Sequence, residues 1–289
     1  MGKISKVLDK AIHEKIVGDE DNHQVAAFAE NEQDVAPRRK PAGNEEPVRQ
    51  DKKVQMATSW DERLTRATMV TGPAAESFRT LRSRILHPPS GIVPKSLLVT
   101  SAIPGEGKSF VCANLGVALA QGVDQHCLMV DCDLRKPALQ RLFGLSPARG
   151  LVNHLRDGDD LSSLLLQTGV DTLSLLPAGP PPVNPSELLG SEAMARVLEE
   201  LENRYDDRMI LLDTPPVQAA SETAVLARHV DGVILVVRWG GGRREHLHRL
   251  IELIGPERIV GVVFNAFEAN VLENKVFGSY QYYAYEEES

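Results

Sequence analysis

From about residue 71 to residue 265 the apolar residues of this chain fall alternately into short continuous runs and helical stripes. The runs at Ser96–Thr100, Cys127–Asp131, Thr172–Leu176, Met209–Leu212, Gly232–Val237 and Ile259–Asn265 predict strands. They lack two-residue alternation, the mark of strands buried on both faces. Helical spacing predicts helices over Ala74–Leu86, Ser109–Gln121, Ser191–Asn203, Glu222–Arg228 and Arg244–Ile254. Repeated alternation of strand and helix predicts an α/β fold with a mostly parallel, doubly wound sheet.

The first 70 residues read differently. They hold thirteen acidic and twelve basic residues, with Phe28 and Trp60 as their aromatics, the composition of a weakly packed arm. Ile4, Leu8, Ala11, Ile12 and Ile16 recur at helical spacing with Lys3, Lys6, Lys10 and Lys15 elsewhere. A short amphipathic helix is predicted there, either lying on its own domain or docking on a membrane surface or a partner. Residues 31–57, with Pro37, Pro41 and Pro47, read as a linker. The expected division is an arm over 1–70, one large domain over 71–278 and a tail over 279–289.

A net charge of −8 and a pI near 5.6 give no electrostatic reason to expect nucleic acid as a partner. Cys112, Cys127 and Cys132 lie in apolar stretches without metal-ligand spacing, which predicts reduced thiols and a cytosolic setting. No apolar stretch approaches a membrane span and the N-terminus carries no signal-peptide core. The start Met1-Gly2-Lys3-Ile4-Ser5-Lys6 places its serine one position early for myristoylation.

Chemistry enters where the strand at Ser96–Thr100 runs into Ser101-Ala102-Ile103-Pro104-Gly105-Glu106-Gly107-Lys108-Ser109-Phe110. A glycine loop ending in Lys-Ser, between a strand and a helix, predicts a nucleotide phosphate cradle of the P-loop NTPase type. Backbone N–H groups face the phosphates, Lys108 supplies charge to the β/γ oxygens, and Ser109 offers a hydroxyl to Mg²⁺. Ala102 stands where G-x-x-x-x-G-K-[ST] has its first glycine. Two further strands end in aspartates, in Val130-Asp131-Cys132-Asp133-Leu134-Arg135-Lys136-Pro137 and in Leu212-Asp213-Thr214-Pro215-Pro216. Ligands of a parallel sheet lie beyond its carboxyl ends, so Asp131, Asp133 and Asp213 are expected to converge on Mg²⁺ and the γ-phosphate. Asp213 is the expected metal aspartate. Asp131 is placed either to bind the ion or to accept a proton. A turn or helix cap is the ordinary use of each.

These three motifs resemble the Walker A, A′ and B motifs of bacterial tyrosine kinases, the BY-kinases of polysaccharide synthesis and export. The resemblance covers about residues 71–289 and includes Asn184-Pro185-Ser186-Glu187-Leu188-Leu189. Partitioning ATPases of the ParA and MinD type share the fold and are the alternative, as binding switches without tyrosine phosphorylation. They carry a signature lysine where this chain has Ile103. The resemblance implies a Mg²⁺-ATP-dependent autokinase with Lys108, Asp131, Asp133 and Asp213 as catalytic residues. It implies a ring of copies held through Glu76, Arg79 and Arg82, three apart on one helix face. It also implies phosphorylation, by a neighbouring copy, of Tyr280, Tyr282, Tyr283 and Tyr285, which precede Glu286, Glu287 and Glu288. A separate membrane protein is the implied activator, recruiting the chain to the inner face of the membrane, and external tyrosine substrates remain open. Asn265, at the end of the last strand, is expected against the base.

Overall fold

The computed structural model describes residues 59–68, 71–123, 125–204, 207–218, 222–241 and 243–266. The N-terminal amphipathic helix, the linker and the four tail tyrosines lie outside the described residues. The centre is a seven-stranded sheet of β1 (Ser96–Ser101), β2 (His126–Asp131), β3 (Leu166–Gln167), β4 (Leu173–Leu176), β5 (Arg208–Asp213), β6 (Gly232–Arg238) and β7 (Ile259–Asn265). Their order is β3-β4-β2-β5-β1-β6-β7. All neighbours pair in parallel except β3 with β4, so the sheet is mostly parallel, as the periodicity predicts.

Each of the six long apolar runs forms a strand. β1 is buried throughout and β2, β4, β5 and β6 nearly so, because helices cover both faces. The helix Lys108–Ala120, buried from Val111 to Ala120, lies between the sheet and an outer layer formed by Pro73–Leu86 and Glu62–Thr68. It carries no polar stripe since it meets protein on all sides. By contrast, Glu192–Arg204 and Arg244–Ile254 bury one stripe each and leave charged faces to water.

Residues 59–68 correct the expected domain boundary. Glu62–Thr68 is helical with Leu64 fully buried, and Trp60 meets Phe143 edge to face at 5.2 Å while its Nε1–H donates to Thr168 O over 2.9 Å. Charged neighbours mask this segment in composition, but its few apolar residues sit in the core. The two-residue β3 and the short helices Leu139–Leu142, Leu151–Asp157, Leu161–Leu164 and Pro185–Leu189 also escape the periodicity, being too short to repeat it.

The chain after β1 crosses to β2 on one side, while β6 and β7 lie on the other. β1 is therefore the switch point of the sheet, and the crevice beyond its carboxyl end is the place for a ligand.

Candidate functional site

The glycine loop fills that crevice. Gly105 and Gly107 have φ of 85° and 90°, a left-handed backbone that side chains rarely adopt. Gly107 ends the loop and caps the helix without a side-chain bond, and the first helical hydrogen bond runs from Val111 N to Gly107 O. The N–H groups of Lys108, Ser109 and Phe110 thus stand outside the helical ladder at the positive end of its dipole. Those groups, with the positive-φ turns, make a concave set of N–H donors of the kind that receives anions. Phe110 contributes its backbone; its ring packs on Phe78 at 6.3 Å.

Ala102 is accommodated without strain. Among the described residues the one non-glycine with positive φ is Ala266, so the Ala102 position asks for no glycine. Its carbonyl accepts Gln218 N–H, tying the loop to the chain after β5. Glu106, 2% exposed, bends back inside the loop: Oε2 accepts the Ile103 N–H at 3.0 Å and Oε1 the Arg238 N–H. Asn265 Nδ2 donates to Glu106 O at 2.9 Å. Asn265, expected against a base, here props the cradle from β7.

The aspartates divide their roles. Parallel pairing sets Asp131 beside Asp213 at the ends of β2 and β5. Asp131 Oδ1 accepts the Asp133 N–H, and Oδ2 accepts the N–H groups of Ala138 and Leu139. Both its oxygens are committed to the backbone, the ordinary cap. Asp133 Oδ2 lies 2.7 Å from Lys108 Nζ in a pair that is 5% and 13% exposed, while its Oδ1 accepts the Lys136 N–H. Asp213 is fully buried with no hydrogen-bond partner for either oxygen among the described residues; Lys108 Nζ is 4.0 Å away. Asp133 and Asp213 thus flank the Lys108 ammonium, while Asp131 holds backbone N–H groups. No group of three or more His, Cys, Asp or Glu side chains among the described residues is arranged to hold a metal.

Burial, then the neighbouring charge of Asp213, pushes the Asp131 carboxyl up to about 8. Burial likewise pushes Asp213 up to about 6, against the pull of the Lys108 charge. Burial alone would lower Lys108, but Asp213 and Asp133 together hold it above the ordinary lysine value. An uncompensated buried carboxylate is costly. Two unpartnered Asp213 oxygens near the Ser109 hydroxyl, which is 3.3 Å from the same ammonium, are hard oxygen donors of the kind Mg²⁺ takes. The residues present fit that ion. Cys112, Cys127 and Cys132 are buried free thiols, with burial raising each above the ordinary thiol value.

The three residues expected between copies have partners within the chain. Arg79 pairs with Glu76 at 2.7 Å on the surface. Arg82 Nη1 donates to Ala118 O at 3.0 Å, binding a carbonyl in the last turn of the loop helix. Sequence reasoning missed a further contact: Arg135, from the turn after β2, and Ser186 and Glu222, from the first turns of two short helices after β4 and β5, meet around one carboxylate. Arg135 and Ser186 stand in quoted motifs, but nothing in spacing joins them to Glu222.

Fold and site define a P-loop nucleotide-binding protein with aspartates on two neighbouring strands. No protein-family model matches the chain. It is 35% identical over 193 residues to the putative tyrosine-protein kinase CapB of Staphylococcus aureus, covering 66% of this chain and 83% of that protein. It is 34% identical over 193 residues to the tyrosine-protein kinase YwqD of Bacillus subtilis, covering 66% and 80%. The chain belongs to the bacterial tyrosine-protein kinases. Against the tyrosine-protein kinase wzc of Salmonella typhimurium it is 30% identical over 214 residues, 73% of this chain but 29% of that protein, so it spans under a third of the longer relative. Among solved structures, the chimerical protein CapA2B2 superposes with a TM-score of 0.65 at 32% identity, over 75% of this chain and 95% of that one. The kinase domain of the Escherichia coli tyrosine kinase ETK gives 0.64 at 29%, over 72% and 82%. Among the described residues no helix is long and apolar enough to cross a membrane.

Proposed function

We propose that this chain is a Mg²⁺-ATP-dependent protein-tyrosine autokinase that modifies Tyr280, Tyr282, Tyr283 and Tyr285 of a neighbouring copy. The observation that carries this reading is Lys108 poised between Asp133 and the unpartnered Asp213 at the mouth of the glycine cradle, in a chain of the tyrosine-kinase family.

ATP binding asks Lys108 to leave Asp133 and turn to the β/γ-phosphates, with the N–H groups of Lys108, Ser109 and Phe110 holding the phosphate oxygens. Ser109 and Asp213 would hold the ion. Held by these two residues, the ion would supply charge neutralisation at the transferred group. Asp133, once freed, is the carboxylate available to orient the acceptor phenol, whose pKa is about 10. Proton removal is secondary, because the phosphoryl transition state is loose and positioning supplies most of the acceleration. Asp131 shapes the loop that carries Asp133 rather than acting as the base.

Contacts between copies fall on the exposed Glu76 and Arg79, with Arg82 joined in by its neighbours on that helix. Each phosphate adds roughly −1.5 to −2 charges beside the tail glutamates, which loosens the assembly. The domain division is arm up to about residue 58, kinase domain beyond it and tyrosine tail from 279. The reading extends to control of polysaccharide synthesis and export, with a membrane activator holding the kinase domain at the cytoplasmic face. The test is incubation of the purified chain with Mg²⁺-ATP, phosphotyrosine mapping by mass spectrometry, and the same for Lys108→Met. Phosphate on tail tyrosines that the variant lacks is expected; ATP hydrolysis without phosphotyrosine would favour a binding switch instead.

A further inference from the structure

The turn Asp133-Leu134-Arg135-Lys136 closes through Lys136 N–H on Asp133 O and Oδ1, so the Asp133 carboxylate and the Arg135 guanidinium stand on one closed turn. One end reaches Lys108. At the other, Arg135 Nη2 donates to Ser186 Oγ at 2.7 Å and Glu222 Oε1 at 3.1 Å, and Ser186 Oγ donates to the same Glu222 oxygen at 3.2 Å. Arg135 follows β2, Ser186 follows β4 and Glu222 follows β5. The carboxyl ends of three strands are thereby joined over the crevice by one buried carboxylate.

Exposure is unequal across this pair: the Glu222 side chain is 3% exposed and that of Arg135 41%. Glu222 Oε2 is buried and has no partner among the described residues. A buried carboxylate with one cation beside it cannot release that cation cheaply, so Arg135 is pinned. A guanidinium carries five N–H donors, and Nη2 makes both contacts. The donors on Nε and Nη1 have no partner among the described residues, and Lys136 beside them is exposed. An arginine at an open surface ordinarily loses rotamer freedom when it grips an anion; here Glu222 and Ser186 have already ordered it.

We propose that Arg135, positioned by Glu222 and Ser186, binds glutamate side chains flanking the acceptor tyrosine. This rests on the kinase reading and names the acceptor side of that site. The occupant follows from charge. The chain carries −8 overall and the nucleotide brings more negative charge to the crevice, yet the tail includes Tyr285-Glu286-Glu287-Glu288. Such a segment is repelled unless a fixed cation receives it. A planar guanidinium with free donors takes a carboxylate in bidentate fashion, which an ammonium does not. Arg135 touches the acceptor; Glu222 acts only through Arg135.

The experiment uses the full chain and two labelled peptides, residues 279–289 as they stand and the same with all three glutamates replaced by glutamine. Steady-state transfer to each gives KM for peptide and for ATP, and fluorescence anisotropy gives binding without turnover. Arg135→Ala should raise KM for the acidic peptide about tenfold, as expected for one charge-assisted contact, with KM for ATP within about twofold. It should leave the glutamine peptide unchanged. Arg135→Lys should recover little, Glu222→Ala should match Arg135→Ala, and Glu222→Asp should restore most of the effect. Equal KM for the two peptides in the unaltered chain, or an equal rise for both in Arg135→Ala, would overturn the assignment. A glutamine peptide phosphorylated at Tyr285 that binds more tightly than the acidic one would also overturn it, in favour of phosphate. If no peptide is ever phosphorylated the kinase reading fails by itself. Anisotropy then still decides the inference: acid preference lost in Arg135→Ala upholds it, and no acid preference defeats it.

Discussion

Lys108 Nζ lies 2.7 Å from Asp133 Oδ2 and 4.0 Å from Asp213 Oδ1, so the lysine proposed to serve the phosphates is held by a carboxylate that would compete with them. Replacing Asp133 by Asn keeps the shape and removes the competing charge. Asp133→Asn should bind Mg²⁺-ATP about two- to tenfold more tightly, or ~0.4–1.4 kcal/mol, while phosphotyrosine formation falls. Isothermal titration checks the first and mass spectrometry the second. Unchanged or weaker nucleotide affinity would remove the competition.

Asp131 and Asp213 make the nucleotide-free fold sensitive to pH. Both carboxyls are raised above the ordinary 3.8, to about 8 and about 6. Between pH about 4 and those values the folded chain binds more protons than the unfolded one, so its stability falls as pH rises through the window. Asp61 and Asp157 are lowered and work in the opposite sense at lower pH. Urea unfolding without nucleotide should give a midpoint that declines from pH 5 to pH 8. Asp213→Asn should flatten the decline and add on the order of 1 kcal/mol at pH 8. A midpoint that rises with pH over that range contradicts the pair.

A Cβ on Gly107 would stand 1.9 Å from Asn265 Nδ2, on a backbone of φ 90°. Gly107→Ala should weaken nucleotide binding at least about tenfold, ~1.4 kcal/mol. Adding Asn265→Ala removes the clash but not the backbone strain, so the double variant should recover affinity only in part. Full recovery would show the conformational requirement to be absent.

The helix at 73–86 separates two effects of its arginines. Arg82→Ala breaks the bond to Ala118 O and should lower unfolding stability by roughly 0.5–1.5 kcal/mol. The Glu76–Arg79 pair is exposed and is worth under about 1 kcal/mol, so Glu76→Ala/Arg79→Ala should leave stability unaltered but shift particle size in light scattering if the pair lies between copies. A size that follows Arg82→Ala alone would relocate the contact.

Leu64→Ala should cost about 2–5 kcal/mol, as for any fully buried leucine, although it lies among charged residues. A melting temperature within a degree of the parent would place the helix Glu62–Thr68 outside the core.

What was legible in the sequence was what repeats. Five of the apolar runs were legible as strands because burial on both faces leaves little room for polar positions, the sixth, Ile259–Asn265, being a half-buried edge strand, and the cradle could be read from Gly105 to Ser109 because turn, charge and hydroxyl are contiguous. The three aspartates were legible as residues but not as partners. Strand ends told that they neighbour the loop, while only side-chain geometry separates Asp131 on the backbone from Asp133 on lysine and Asp213 on nothing. Leu64 was hidden by charges on either side, Asn265 by its reach across the loop to Glu106, and Glu222 by its distance along the chain from Arg135 and Ser186.

The last strand carries a mechanical implication. Asn265 holds the loop through one hydrogen bond from its side-chain amide to Glu106 O, and the next residue, Ala266, turns the chain through a left-handed φ of 54°, a conformation that costs an alanine about 1–2 kcal/mol. Asn265 is thus a junction: its carbonyl accepts the Trp239 N–H beside β6 while its side chain holds the loop, so a displacement of the end of β7 is shared between the sheet and the floor of the cradle.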